Sequence, residues 1–131
     1  MKVDHLGIAV KSLRDSLPVW EATLGTRGSP PEEVPSQRVR VSFLEAGEPH
    51  LELLEPTAEG SAVARFLADR GEGMHHVAFA VPRVDDALAA VEQRGGRLVD
   101  RVGRPGARGR RVGFAHPSAH HGVLVEFVEG P

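Results

Sequence analysis

The stretch Met74-His75-His76-Val77-Ala78-Phe79-Ala80-Val81 is a second copy of Val3-Asp4-His5-Leu6-Gly7-Ile8-Ala9-Val10. A shift of 71 residues (76 − 5) lays His76 on His5, Ala80 on Ala9 and Val81 on Val10. Later in each copy, Leu51-Glu52-Leu53-Leu54-Glu55 matches Val125-Glu126-Phe127-Val128-Glu129 at a shift of 74 (126 − 52). The sequence is an internal duplication that carries a histidine and a glutamate in each half.

Read as strands, these segments send alternate side chains to opposite faces. Leu6, Ile8 and Val10 share a bulky face suited to packing under a helix, as do Val77, Phe79 and Val81. The other face carries Val3, His5, Gly7 and Ala9, then His76, Ala78 and Ala80, whose small residues leave room beside each histidine. Glu52 lies between Leu51 and Leu53, and Glu126 between Val125 and Phe127. A carboxylate inside an apolar strand is costly unless it has a partner such as a metal. The expectation is a His2Glu2 site made of His5, Glu52, His76 and Glu126, gathered by a pseudo-twofold axis. Its donor set suits Co, Ni, Zn, Mn or Fe, and without a thiolate the sequence does not choose among them. The competing reading is a hydrogen-bonded polar cluster at the repeat interface. One isolated histidine would favour that reading; recurrence of both residue types favours the metal.

The remaining composition bounds the class. At 131 residues the chain is expected to be one domain, residues 1–131, built from two half-size modules. With 16 basic and 18 acidic residues, a net charge of −2 implies no general attraction to nucleic acid or membrane. There is no cysteine, which excludes disulfides and thiolate metal sites and suits a cytoplasmic protein. The absence of a long apolar segment or a basic-plus-apolar leader gives the expectation of a soluble, unexported chain.

The chain order predicts an α+β fold of two βαβββ modules, 1–56 and 74–131, joined by a linker helix within 57–73. Ser12 is placed to cap a helix with Asp15 three residues on, and Leu13, Leu17, Trp20 and Leu24 recur at helical spacing before Gly25. Pro18 predicts a loose or late first turn. Residues 28–36 read as an excursion. Val39, Val41 and Phe43 alternate with polar residues as a strand, and a turn at Gly47-Glu48-Pro49 leads to the Glu52 strand. In the linker, Val63, Phe66 and Leu67 point inward. The second module has a helix with Val84, Ala87, Leu88 and Val91 on one face, a strand near 97–99, a Gly/Arg loop, and strands at 112–115 and 123–128.

Other polar residues read as follows. His75 falls on the face opposite His76 and is expected to be structural. Glu55 and Glu129 lie on the outer face near strand ends. His116 closes a strand at the edge of the expected cavity, while His120 and His121 precede Gly122 in a turn and are expected to be solvated. Six arginines (97, 101, 104, 108, 110 and 111) face the single acid Asp100 between 97 and 111. They form either a solvated basic edge or a clamp for the phosphates of an anionic substrate.

Four segments, Asp4–Val10, Leu51–Pro56, Arg70–Phe79 and Gly122–Glu126, carry a resemblance that extends over nearly the whole chain. It resembles the vicinal-oxygen-chelate superfamily and, within it, the methylmalonyl-CoA epimerases. The resemblance implies paired βαβββ modules curled around a metal cleft, a divalent ion on His5, Glu52, His76 and Glu126, an acyl-CoA substrate (methylmalonyl-CoA) and a homodimer. The second ligand is glutamine in some members and glutamate in others. It also implies a reaction in which the substrate C2 proton is moved between faces, with Glu126 carrying one transfer and Glu52 or a metal-bound water the other. Two positions depart from the pattern. Val41 stands where some members carry a glutamate proposed as a base, and Ser118 where a lysine is usual. The alternatives are a glyoxalase I-like lactoylglutathione lyase with the same ligands, an Fe(II) extradiol dioxygenase, which a fourth ligand at Glu52 argues against, and a non-catalytic small-molecule-binding protein.

Overall fold

A computed structural model describes residues 1–130. In chain order the elements are β1 (Lys2–Ala9), α1 (Leu13–Leu24), β2 (Glu32–Val34), β3 (Val39–Glu45), β4 (His50–Pro56), α2 (Ala62–Arg70), β5 (Gly73–Val81), α3 (Val84–Gln93), β6 (Arg104–Pro105), β7 (Arg111–Ala115) and β8 (Val125–Glu129). This is the expected α+β class. No helix among the described residues is long and apolar enough to cross a membrane.

The chain divides into two compact units. One is His5–His75; the other is the chain from His76 onward together with Met1–Asp4. In the first unit the strands follow the order β2-β3-β4-β1, and in the second β5-β8-β7-β6. The pairing rules match: β1 runs parallel to β4 and β5 to β8, while the remaining neighbours are antiparallel.

In the first unit the bulky face of β1 is covered by α1. Ile8, Val10, Leu13, Leu44 and Leu53 are buried, with Leu17, Trp20, Leu24 and Leu51 packed against them. Each such side chain contributes about 1.5–3 kcal/mol when fully withdrawn from water. The helix begins at Leu13, where the Ser12 signal places it, and its first turn is not displaced by Pro18. Two acceptors secure that start: Ser12 Oγ takes the Asp15 N–H at 3.2 Å and Glu55 Oε1 takes the Leu13 N–H at 2.8 Å. They hold the turn against the hydrogen bond that Pro18 cannot make. Gly25, at φ 67°, ends the helix in the left-handed conformation that glycine adopts without a Cβ penalty.

In the second unit Val84, Leu88 and Val91 of α3 pack on Val81, Ala115, Val125 and Phe127. Gly113 on β7 permits this approach, since a Cβ there would lie 2.7 Å from Leu88 Cδ1 and 2.9 Å from Val84 Cγ1.

Two elements differ from expectation. The excursion at 28–36 contains the three-residue β2, too short and too close to Pro35 to show a period. The strand expected near 97–99 shrinks to a single bridge, Leu98 to Ala115. There the N–H groups of Val99 and Asp100 both donate to the Phe114 carbonyl, so two residues oppose one and the ladder stops. The edge strand comes later instead, at β6.

Candidate metal centre

Each unit builds the same histidine and carboxylate pair from the same parts. In the first, β1 and β4 run side by side with Gly7 as the Cα partner of Glu52. His5, two residues back on the same face, brings Nε2 to 3.3 Å from Glu52 Oε1. In the second unit Ala78 is the partner of Glu126, and His76 Nε2 lies 3.0 Å from Glu126 Oε1. The small residues expected beside each histidine are those that flank the carboxylates.

A third residue completes each half and was not singled out from the sequence. Phe43 on β3 is the cross-strand partner of Glu52, and its ring meets His5 edge-on, centroids 5.8 Å apart at 84°. Phe114 on β7 is the partner of Glu126 and meets His76 at 5.6 Å and 86°. Direct cross-strand partners share a face, so each ring stands on the side of the sheet that carries the ligand pair. The two phenylalanines are 71 residues apart (114 − 43), the spacing of the two histidines, and that spacing was a usable signal.

His5, Glu52, His76 and Glu126 are only 4, 5, 3 and 3 % exposed. An imidazole N–H satisfies one carboxylate oxygen, but a neutral ring does not offset the charge of a carboxylate taken out of water. Two such carboxylates carry the charge that one divalent cation neutralises, and the N/O donor set is one that such cations accept. Among the described residues these four buried side chains, each offering one ligand atom, could hold a metal ion. The residues fit the group that the sequence led one to expect.

Other singled-out residues have structural duties. Glu55 and Glu129 occupy equivalent places as acceptors for helix starts, Glu55 for Leu13 and Glu129 Oε2 for the Val84 N–H at 2.9 Å. At α3 the residue at the cap position is Arg83, which makes no capping bond, so Glu129 supplies an acceptor in its stead. Glu55 also pairs with Arg40 at 2.8 Å. His75 lies edge-on to Phe66, centroids 5.0 Å apart. His116 ends β7, and its Nδ1 accepts the Ser118 N–H at 3.1 Å to cap a short 3-10 helix at Pro117–His120. His121 is exposed as expected, but His120 is half-buried, with a buried Nδ1 that has no hydrogen-bond partner. Burial, and then the nearby charges of Arg94 and His121, hold His120 below the ordinary histidine pKa. The turn it occupies is packed, which its polar neighbours in sequence do not reveal.

The arginine cluster is largely committed to carboxylates. Arg110 reaches Asp4 at 2.9 Å and the Glu129 carbonyl at 2.7 Å. Arg111 binds both oxygens of Asp85 at 2.9 Å. The Gly103 N–H first, and then Arg111, hold the Asp85 carboxyl below the usual range. Arg104 pairs with Asp100 at 3.3 Å, and Arg101 lies 3.9 Å from Glu92. Val41 is buried on the face of β3 that carries Phe43, with Glu32 and Leu54 as its cross-strand partners.

The chain is similar to known proteins. The sequence profile of the Glyoxalase/Bleomycin resistance protein/Dioxygenase superfamily matches residues 4–114. The chain is 40 % identical to uncharacterized protein YqjC of Bacillus subtilis over 128 residues, 98 % of this chain and 91 % of that protein. It is 34 % identical to the ethylmalonyl-CoA/methylmalonyl-CoA epimerase of Cereibacter sphaeroides over 134 residues, 98 % of this chain and 97 % of that one. Among solved structures, a variant of Streptomyces coelicolor methylmalonyl-CoA epimerase in complex with 2-nitronate-propionyl-CoA shares the fold with a TM-score of 0.93. It is 38 % identical, with 99 % of this chain and 94 % of that chain covered.

Proposed function

Because the chain belongs to the Glyoxalase/Bleomycin resistance protein/Dioxygenase superfamily and, within it, to the methylmalonyl-CoA epimerase family, we propose that it interconverts (R)- and (S)-methylmalonyl-CoA. The observation that carries this reading is the buried His–Glu pair present once in each unit, in a chain several of whose relatives bear that activity in their names.

The proposed ligands are His5, Glu52, His76 and Glu126, and the proposed cofactor is one divalent ion among Co, Ni, Zn and Mn. When bound, it would stabilise the negative charge that develops on the thioester oxygen as C2 loses its proton. The protein's own contribution is to move that proton. Exchange between two faces of a carbon needs two acid/base groups, or one with access to both. Val41 has no ionisable atom, so the role falls to the two inward carboxylates. Glu126 carries one transfer, and Glu52 or a water held at the site carries the other. His5 Nε2 and His76 Nε2 lie 3.3 and 3.0 Å from these carboxylates, so each pair presents its donor atoms side by side. Phe43 and Phe114 wall the imidazoles and keep bulk water from them.

The assay is racemisation of methylmalonyl-CoA by metal-loaded protein, with metal-stripped protein as control; activity that survives stripping would remove the cation from the proposal. Exchange of the C2 proton with deuterated solvent is expected to vanish in a Glu126→Gln variant that still holds metal. Undiminished exchange there excludes Glu126 as a base. The proposal extends to a single vicinal-oxygen-chelate domain over residues 1–131, acting as a cytoplasmic homodimer. The dimer is checked by sedimentation, where a monomer at micromolar concentration counts against it.

A further inference from the structure

The outermost strand of each unit stops two residues short of the phenylalanine beside the ligand pair. Pairing of β2 reaches Val41 through Glu32, and pairing of β6 reaches Val112 through Arg104, whereas the rings stand on Phe43 and Phe114. Continued, β2 would set Pro30 opposite Phe43, and proline has no N–H to offer a ladder. A single side chain takes over in each unit. Ser29 Oγ accepts the Phe43 N–H at 2.9 Å, and Asp100 Oδ2 accepts the Phe114 N–H at 2.9 Å. The main chain returns the bond: the Ser29 N–H donates to the Phe43 carbonyl at 2.8 Å, and the Asp100 N–H to the Phe114 carbonyl at 3.1 Å.

Ser29 and Asp100 are 71 residues apart (100 − 29), the shift that relates Phe43 to Phe114 and His5 to His76. The repeat has thus kept the bond while exchanging a hydroxyl for a carboxylate. An oxygen acceptor is what the two share.

These acceptors reach the ligands through the rings. With its N–H and carbonyl both turned to the outer edge, each phenylalanine forms a non-hydrogen-bonded pair with Glu52 or Glu126, the type in which side chains approach most closely. Phe43 and Phe114 are buried, and a buried N–H that loses its acceptor forces the strand to move or to admit water. Either response displaces a ring whose centroid lies 5.8 Å from that of His5 or 5.6 Å from that of His76. Ser29 is itself held: its carbonyl accepts from the buried Ser42 hydroxyl at 2.7 Å, and the Gly28 N–H before it donates to Glu21 Oε2 at 2.8 Å. Asp100 is held by its ion pair with Arg104.

We propose that Ser29 and Asp100 are positioning residues for the metal ligands, each fixing the ring against which its unit's histidine is set. This rests on the reading above in which His5 and His76 are ligands. Neither residue touches the cation or the substrate in that reading; each acts through one phenylalanine.

The test begins on metal-free protein, where NMR records the ring protons of His5 and His76, whose shifts sense the nearby phenylalanine. Ser29→Ala is expected to move the His5 signals and leave those of His76, and Asp100→Ala to do the reverse. Ser29→Thr and Asp100→Asn, which keep an oxygen acceptor, are expected to show the wild-type shifts. Titration with Co²⁺ against a chelator then reads affinity, expected to fall about 10-fold in each alanine variant, the low end for loss of an outer-shell partner. Should an alanine variant fail to fold, Ser29→Cys or Asp100→Cys, which leaves only a weak acceptor, is expected to move the same signals by less. Unmoved histidine signals, or signals that move alike in both units, overturn the proposal, as does unchanged Co²⁺ affinity. An Asp100→Asn variant that behaves as Asp100→Ala assigns the effect to the ion pair with Arg104 and overturns the proposal for that unit. Wild-type protein that takes up no Co²⁺ removes the metal reading and this inference with it; wild-type uptake with unmoved signals in the variants removes the inference alone.

Discussion

In the unit His5–His75 a glutamate, Glu32, stands opposite Val41; in the unit that begins at His76 an arginine, Arg104, stands opposite the equivalent Val112. Around that difference almost everything is kept: the strand order, the His–Glu pair, the edge-on phenylalanine and the carboxylate that receives the first helical N–H. What each unit keeps is one buried histidine beside one buried carboxylate, donors of the type a divalent cation accepts. Where they diverge, the equivalent edge position carries opposite charges, Glu32 in one unit and Arg104 in the other.

The largest effects are expected where the units are alike. His5→Ala and His76→Ala should each lower metal affinity beyond the ~10- to 100-fold typical of losing an outer-shell partner, and by similar factors. Metal content after dialysis, measured by mass spectrometry, checks this; retention by one variant but not the other would break the equivalence of the halves. Next come the carboxylates. Glu126→Gln should lower turnover by about 10²- to 10⁴-fold, the range of a lost general acid or base. Glu52→Gln should cost less, since the amide oxygen of glutamine is still an oxygen donor. Equal losses in steady-state assays would assign the two carboxylates the same role.

Smaller effects separate the helix starts. Glu129→Ala should destabilise the protein by about 1–2 kcal/mol, because Arg83 offers α3 no capping bond. With Ser12 still in place at α1, Glu55→Ala should cost less, about 1 kcal/mol including its partly exposed pair with Arg40. Urea denaturation ranks them, and the reverse order would show that Ser12 contributes little.

The smallest effect is confined to the second unit and to acid. His120 has a folded pKa below the ordinary 6.5, so in the window beneath that value the unfolded chain binds a proton that the folded one refuses. Stability is then lost as pH falls from the unfolded pKa through the folded one, and nothing is lost above. His120→Gln should flatten that part of the profile, and its ring signals in the wild type should titrate below 6.5 by NMR. A wild-type titration at or above the ordinary value would contradict the burial argument.

Much of the site could be read before any coordinates because duplication doubles every signal. His5 and Glu52 are ambiguous singly, and the repeat at His76 and Glu126 supplied what periodicity in one copy could not. The fold's skeleton followed from the same source, together with the apolar stripes of α1 and α3. What stayed illegible depends on contacts between residues distant in sequence. Glu55 and Glu129 look like outer-face acids until the helix starts are placed beside them. Asp100 ends a ladder through the Phe114 N–H, so a strand expected at 97–99 became a bridge. Arg104 and Arg111 are alike in sequence, and only the register of β6 against β7 sends them to opposite sides.

One contact also constrains how the chain is assembled. Asp4 meets Arg110 at 2.9 Å, and Met1–Asp4 belongs to the compact unit that resumes at His76, although His5 belongs to the other. Strand β1 therefore changes allegiance between two adjacent residues. During synthesis its leading end must wait while more than a hundred further residues emerge, a separation of 106 positions for this ion pair. Closing so long a span adds entropy cost only slowly with length, but it cannot be done early. The leading end of β1 thus docks only once a segment 106 positions downstream has been made, whatever the order in which the rest of the chain folds.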